Sequence, residues 1–514
     1  MTAMATFLTD QAALYDDRDM LRVDGVGRTY QQLLDDVHSL ARGLESAGIG
    51  PGSRVGILMD TSHRTVDVWF AASVLGCVET PFNTNYRGSL LLHLIEDSEI
   101  DTVVCAAAYA TEVHRLAQTA TRSIRIIVDG DTGDVPDALR LEALYADPTG
   151  WSAPADDGGE VILYTSGTTG PSKGVVHNQR GCIRLGQYVA EVCGYGPSDR
   201  LLNFFPLYHQ NARYSGVMAA LSVGAAIDLE SKFTSSGFWD LCRKRGITAF
   251  NYLGSVLAMI SSASGPEDPA RDRNHSVRQA YGAGAPEQDQ LEWRDRFGVE
   301  LLEVYGLTEA PMVAVNIPGS GCARGSAGKE SSLFQVRVVD DLKRPVPAGE
   351  AGDIQVCPKV EDIFTRGYYR NDAATVASIT DLWFSTGDRG YLSIDGDLFF
   401  AERANDSLRR RGENISAWEI ESVLVAHADV REAAVYGVVV DGETEVMATI
   451  LLETETADVC AIVRGVAGDL PRYAVPRFVR RVDDMPRTPT MKVQKHELKT
   501  EGVTADTYDL TKEN

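Results

Sequence analysis

The stretch Leu163-Tyr164-Thr165-Ser166-Gly167-Thr168-Thr169-Gly170-Pro171-Ser172-Lys173-Gly174 decides how this chain is read. A short apolar run feeds eight Gly, Ser or Thr residues around one lysine, which is the composition of a loop built to hold a polyphosphate. Glycines let the backbone turn with φ > 0 and bring N–H groups close to anionic oxygens, hydroxyls add donors, and the lysine supplies a point charge. A Walker A loop is excluded, because it needs a glycine directly before its lysine and a hydroxyl directly after, where Ser172 and Gly174 stand. A Gly/Ser/Thr-rich loop taken alone is equally well a mobile polar connection, so its context has to decide.

Working outward, 514 residues with 44% hydrophobic content can bury several cores, and two or more domains are expected. A formal charge of −24 argues against nonspecific binding to nucleic acid or to an anionic membrane, so an anionic ligand must find locally concentrated positive charge. One such cluster is Arg409-Arg410-Arg411. The eight cysteines show no C-x-x-C pair and no regular spacing, which argues against zinc and against a disulfide framework. Acidic residues stand near the N-terminus where a signal peptide is basic, and no apolar run approaches the roughly 18 residues of a membrane span. The cytoplasm is the expected compartment.

Helical and strand signals alternate from Tyr30 to about Val313, the pattern of a layered α/β fold with parallel sheets covered by helices. Leu33, Leu34, Val37, Leu40, Ala41 and Leu44 predict a helix over Tyr30 to Ala47, stopped by Gly48-Ile49-Gly50-Pro51-Gly52. Strands are expected at Arg54 to Met59, Thr102 to Cys105, Ile124 to Val128 and Glu160 to Tyr164, with helices at Val68 to Leu75 and Ser89 to Glu96. The acidic stretch Asp129 to Asp157 reads as a surface connection. From about 319 to 404 short strands with turns predict a small β-rich, barrel-like subdomain. Beyond Asn405, a helix (Ser416 to Ala426), strands (Ala433 to Val440 and Glu445 to Leu452) and a helix (Ala457 to Gly468) predict a compact α+β domain.

Three further segments sharpen the reading. Glu303-Val304-Tyr305-Gly306-Leu307-Thr308-Glu309 places an aromatic face, a glycine, a hydroxyl and a carboxylate at the end of an expected strand, where ligands of α/β sheets collect. Ser385-Thr386-Gly387-Asp388 puts a carboxylate after a turn, suited to vicinal ribose hydroxyls. Pro486 to Leu498 carries Lys492 on a late loop. Singly, Tyr305 reads as core, Asp388 as a turn residue and Lys492 as a solvated charge. All of them in this order resist that explanation.

With these motifs the chain resembles the adenylate-forming superfamily of acyl-CoA synthetases, nonribosomal-peptide adenylation domains and luciferases, from about Arg28 to Leu498. The segment Arg403 to Glu421 looks most like the acyl-CoA and carnitine-CoA ligase branch. The resemblance implies an α/β fold: an N-terminal domain over 1–404 and a small mobile C-terminal domain over 405–514, hinged at Asn405. It implies ATP, Mg²⁺ and coenzyme A as co-substrates and cofactor. Thr165, Ser166, Gly167, Thr168, Thr169, Gly170 and Lys173 would hold the β- and γ-phosphates, Glu309 would ligate Mg²⁺, and Thr308 would bond the α-phosphate. Tyr305 and Gly306 would meet adenine, backed by Gly282, Ala283 and Gly284, while Asp388 and Arg403 would hold the ribose. Lys492 would bridge the carboxylate and the α-phosphate. Arg409, Arg410, Arg411, Gly412 and Glu413 would meet CoA, and His209 would gate the thiol tunnel. Asn211, Arg213, Tyr252, Gly254, Tyr281, Gly282, Gly306, Leu307, Ala310 and Met312 would line the acyl pocket. Arg213 is the odd member: it pairs with a second carboxylate or a polar group on the acid, or points outward, as an arginine more often does.

Met491 stands where the family carries glycine before the late lysine, a change able to disable adenylation while sparing thiol transfer. Asn405 at the hinge keeps turn capability. Glu402 replaces the glycine that usually precedes Arg403, and Tyr281 with Gly284 modifies the usual Gly-Gly-Ala strip. The expected function is therefore an acyl-CoA ligase working through an acyl-adenylate. The alternatives are an enzyme restricted to thioester formation from a pre-formed adenylate, and a noncatalytic nucleotide- or acyl-binding protein. The implied partners are a small carboxylic acid or its adenylate and CoA, with a free-standing carrier protein as another acceptor and a homodimer as an allowed assembly.

Overall fold

The helix expected from Tyr30 forms over Tyr30–Ser46 and starts at a capping box, in which Thr29 accepts from the Gln32 N–H while the Gln32 side chain accepts from the Thr29 N–H. Its buried face is the expected one, Leu33, Leu34, Val37, Leu40, Ala41 and Leu44, and Gly48 at φ +80° follows the helix end. At about 2 kcal/mol per buried Leu or Val, this face anchors the helix far more strongly than helix propensity does.

The computed structural model describes residues 4–154, 159–165, 172–403, 408–410, 413–415, 417–440, 443–454, 457–470, 472, 474–489 and 491–512. It divides into two units, Met1–Gln335 with Cys357–Leu382, and Val336–Val356 with Trp383–Asn514.

In the first unit, β1 (Asp19–Val23) and β2 (Val26–Thr29) form a hairpin whose two-residue turn, Asp24-Gly25, takes positive φ at both positions. Next come β3 (Arg54–Leu58), β4 (Val78–Pro81), β5 (Thr102–Ala106), β6 (Arg125–Asp129), β7 (Leu139–Arg140), β8 (Glu160–Thr165) and β9 (Lys173–Asn178). They build a seven-stranded sheet in the order β7-β6-β5-β3-β4-β8-β9. Then β10 (Arg200–Asn203), β11 (Ala226–Leu229), β12 (Ala249–Leu253), β13 (Gln279–Ala283), β14 (Glu300–Tyr305), β15 (Ala314–Asn316) and β16 (Lys329–Glu330) join the hairpin in a nine-stranded sheet. Its order is β16-β15-β14-β13-β12-β10-β11-β1-β2.

The expected parallel sheets exist as parallel cores with antiparallel edges. β7 to β8 run parallel in the first sheet, and β1, β11, β10, β12, β13 and β14 in the second. β9 returns antiparallel to β8 because the intervening loop is too short for a crossover, which takes a dozen residues or more. The same holds for β15 against β14. Leu58, Phe82, Leu91, Val103, Val113 and Val128 belong to one buried cluster between strands and covering helices.

The stretch Asp129 to Asp157 is not merely a surface connection. It contributes β7 to the sheet edge and a 3-10 turn, Leu141–Leu144, whose Leu141 is fully buried. That turn presses on the helix Tyr30–Ser46 so closely that a Cβ at Gly43 would lie 1.6 Å from the Leu144 carbonyl oxygen. Packing against a distant helix overrode the acidic composition.

In the second unit, strand Trp383–Leu392 pairs antiparallel with Gly352–Pro358 and with Leu398–Arg403. The C-terminal part has the expected helix (Ala417–Val425), strands (Val430–Val440 and Glu443–Leu452) and helix (Val459–Val466). It adds strands Phe478–Val482 and Thr507–Asp509, which complete a four-stranded sheet, and a helix Lys495–Glu501. The added strands escaped because Phe-Val-Arg-Arg-Val and Thr-Tyr-Asp carry little alternation. Among the described residues, no helix is long and apolar enough to cross a membrane, and the eight cysteines are free thiols.

Substituting Gly43→Ala should lower stability by about 2 kcal/mol through overpacking against Leu144, read as an earlier urea midpoint with an unchanged slope.

Candidate active site

The site is built where the two parallel cores bring their strand ends together in the first unit. Thr165 ends β8 and faces Lys173, the first residue of β9, across the ladder. The loop between them, with Ser166, Gly167, Thr168, Thr169 and Gly170, lies outside the described residues. The Lys173 ammonium sits 5.0 Å from the Tyr368 ring centroid. Tyr368 is held by an isolated bridge to Val175, and its phenol donates to Glu309 Oε1 at 2.7 Å. Burial and the neighbouring carboxylate raise the phenol's pKa, so it stays a donor. Glu309 is itself buried, and its carbonyl accepts from the Thr365 N–H.

One carbonyl joins the two sheets. Thr308 O accepts from His177 Nε2 on β9 at 2.7 Å and from the Gln210 amide at 2.9 Å. Since a carbonyl only accepts, His177 carries its proton on Nε2. Burial pushes the imidazole down to about 4, so it is neutral at pH 7. Gln210 follows His209, which places the expected gating histidine beside the Tyr305–Glu309 motif.

The strand ends β12, β13 and β14 bring together Tyr252, Gly254, Gly282, Ala283, Gly284, Tyr305, Gly306, Leu307, Ala310 and Met312. The glycines are sterically required. A Cβ at Gly282 would lie 2.2 Å from Tyr252 O, and one at Gly254 2.0 Å from Gly284 O. One at Gly306 would lie 2.6 Å from Met312 N. The backbone after Tyr305 folds back through Leu307 N–H to Ala310 O, and Met312 takes φ +53° to close the turn. Tyr281, one residue out of phase with Gly282, points its hydroxyl toward Ser215 Oγ at 3.3 Å. Asn211 accepts from Asn203 and Asn251.

Arg213 stands apart from this group, and the outward orientation is corrected. It is 1% exposed, its Nη2 lies 2.6 Å from both oxygens of Glu79 on β4, and its guanidinium stacks over Trp69 at 4.2 Å. Burial pushes the Glu79 carboxyl up against the pull of Arg213, while burial opposes the arginine's charge and Glu79 more than offsets it. With Ile57, Met59, Trp69, Phe82, Leu207 and Tyr208 it lines a narrow cleft at the carboxyl ends of β3 and β4. A buried side chain in a six-residue π-helical turn, Arg213–Met218, is a placement no helical spacing in the sequence announces.

In the second unit, Asp388 and Arg403 face each other across the ladder, and Asp388 is buried. Arg409 pairs in register with Asn414 and Arg410 with Glu413, while Asn405, Arg411 and Gly412 lie outside the described residues. Lys492 is exposed on a turn in which its N–H donates to Thr488 Oγ1 and its carbonyl accepts from Thr488 N–H. Met491 takes φ +65°, the left-handed region natural to glycine.

The sequence reading missed Glu79, His177, Gln210, Tyr368 and Glu303. His177 was within reach, since it lies on β9 four residues past Lys173 and alternation aims it at the same side. Tyr368 and Glu79 become visible only when distant segments meet.

Residues 8–369 match the family described as AMP-binding enzyme, and residues 419–492 match its C-terminal domain. The chain belongs to this family of AMP-binding enzymes. It is 29% identical over 505 residues to a sulfoacetate–CoA ligase of Cupriavidus necator, covering 96% of this chain and 97% of that one. It is 28% identical over 509 residues to a crotonobetaine/carnitine–CoA ligase of Salmonella heidelberg, covering 95% and 97%. In fold it matches an anthranilate CoA ligase solved with anthranoyl-AMP (TM-score 0.88, 23% identity, 97% of each chain). It also matches a benzoate CoA ligase from Burkholderia xenovorans (TM-score 0.87, 23% identity, 97% and 100%). The expected fold class, and the assignment to AMP-forming acid–thiol ligases, are borne out.

Removing one partner of the Glu79–Arg213 pair should be costly and removing both should not. R213M alone should lose about 3 kcal/mol or more, and R213M with E79Q should recover most of it in a double-mutant cycle of urea midpoints. His177, whose folded pKa lies below its ordinary 6.5, contributes stability that is present above pH 6.5 and lost as pH falls through about 4. The stability difference between wild type and H177Q, measured by urea unfolding, should therefore shrink across that window.

Proposed function

We propose that the protein carries out both half-reactions of acyl-CoA synthesis, from carboxylate and ATP to acyl-AMP and pyrophosphate, then from acyl-AMP and CoA to thioester and AMP. The observation that carries this reading is that Lys173 and Glu309, remote in sequence, are joined through one tyrosine. A cation for phosphate and a carboxylate for a metal are thereby set beside the end of β14, where Tyr305 and Thr308 stand.

A carboxylate is a poor electrophile because its leaving group is oxide, and attachment of AMP supplies a good one. In the proposed arrangement the Thr165–Lys173 loop holds the β- and γ-phosphates and Thr308 the α-phosphate, with adenine between Tyr305 and the Gly282–Gly284 strip. Glu309 would hold Mg²⁺. Among the described residues no group of three His, Cys, Asp or Glu could cage a metal. A single buried carboxylate therefore suits an ion coordinated chiefly by substrate phosphates and water, and such an ion neutralises phosphate charge when bound. Asp388 and Arg403 are assigned to the ribose, Lys492 to the reacting oxygens, and Arg409, Arg410, Arg411, Gly412 and Glu413 to CoA. His209 is assigned to the passage between acid and thiol, and a division at 404/405 with Asn405 as hinge to the exchange between half-reactions. CoA is the proposed acceptor rather than a carrier protein, and the cytoplasm the proposed compartment.

Met491 at φ +65° supports retention of the first half-reaction, since the turn presenting Lys492 keeps a glycine-like conformation. A side chain there costs about 1 kcal/mol.

Carboxylate-dependent ATP/pyrophosphate exchange, measured beside thioester formation from a synthetic acyl-adenylate, tests this reading. Exchange with both products supports it, whereas thioester from the adenylate without exchange restricts the protein to the second half. K492A should lose exchange by about 100-fold or more while transfer from the adenylate persists. M491G should raise exchange and stability together.

A further inference from the structure

Glu303 lies on β14 directly opposite Gly282 of β13 and is buried. Its Oε1 accepts from the Tyr252 hydroxyl at 2.5 Å and from the Ala285 N–H at 2.7 Å, and its Oε2 accepts from the Gly284 N–H at 2.9 Å. Burial pushes its carboxyl up to about 8 against the pull of these three donors, and among the described residues no cation is paired with it. A carboxylate buried without a counter-charge is expensive, so a chain keeps one only where both oxygens are fully used. Here they grip three donors from two neighbouring strands.

The geometry of the gripped segment matters. Gly284 is exposed at φ +83° and turns the chain out of β13, so its conformation is not fixed by the sheet ladder. Two consecutive N–H groups, on Gly284 and Ala285, point back to the carboxylate, which leaves the Gly282–Gly284 backbone to present its other side outward. The third donor, Tyr252, packs its ring against Gly282, where a Cβ would lie 2.7 Å from the ring.

We propose that Glu303 is a positioning residue that sets the height and tilt of the Gly282–Gly284 strip, and thereby the enzyme's preference for adenine over other bases. The proposal rests on the strip being the nucleobase surface. Glu303 touches no ligand and acts through the backbone it holds. Through Tyr252 it also ties the strip to the wall assigned to the acyl group.

The test compares KM for ATP and for GTP in the thioester assay of the full-length enzyme, with the unfolding midpoint recorded in parallel. In E303Q the carboxamide has one acceptor oxygen and turns N–H donors toward donors, so the strip is released. E303D keeps the carboxyl group and falls short of the strip. Both should raise KM for ATP about tenfold or more, leave KM for GTP within twofold, and so flatten the preference for ATP. Folded E303Q and E303D that retain the wild-type ATP-to-GTP ratio, or that lose both nucleotides equally, overturn the proposal. A wild-type protein that forms no product from ATP at all signals instead the failure of the functional reading.

Discussion

The Thr308 carbonyl, gripped by His177 from one sheet and by Gln210 beyond the other, is the joint on which the site depends. Each parallel sheet alone could place ligand groups at its own strand ends, but a nucleotide and an acyl group must be held at once. The His177 bond ties the seven-stranded sheet to that oxygen, and the Gln210 bond braces it from the segment after β10. Burial keeps His177 neutral, which lets the joint form without the desolvation cost of a charge.

Around this joint the first unit buries several carboxylates, and three of them lie close to the candidate site. Glu79 and Arg213 form a compensated pair beneath Trp69, so their removal is a question of packing more than of electrostatics. Among the described residues Glu303 has no such partner and relies on two backbone N–H groups and the Tyr252 hydroxyl. Glu309 is buried with a phenol on one oxygen, an arrangement that tolerates a nearby cation of ligand or metal origin. Three buried carboxylates thus occupy three different electrostatic environments within one unit.

The late loop shows a different economy. Met491 adopts the conformation that glycine adopts without strain, and Thr488 holds the turn through the Met491 and Lys492 backbone. The loop geometry therefore belongs to the turn rather than to residue 491, and the side chain is carried as a local penalty.

Local periodicity determined much of this protein from sequence alone. The helix Tyr30–Ser46, the parallel cores and the strand feeding the loop at Thr165 follow from spacing, caps and β-branched runs, whose physics spans only a few residues. The Tyr305–Glu309 segment, where the structure gathers His177 and Tyr368, stood out for the same reason, since it is one contiguous stretch. Tertiary structure alone decided what Arg213, Tyr368, Glu79 and Glu303 do. Their partners are supplied by other strands, and in sequence a buried ion pair, a solvated arginine and a backbone clamp look alike. Burial, which multiplies the energy of every unmet or met polar contact, exists only once the chain has folded.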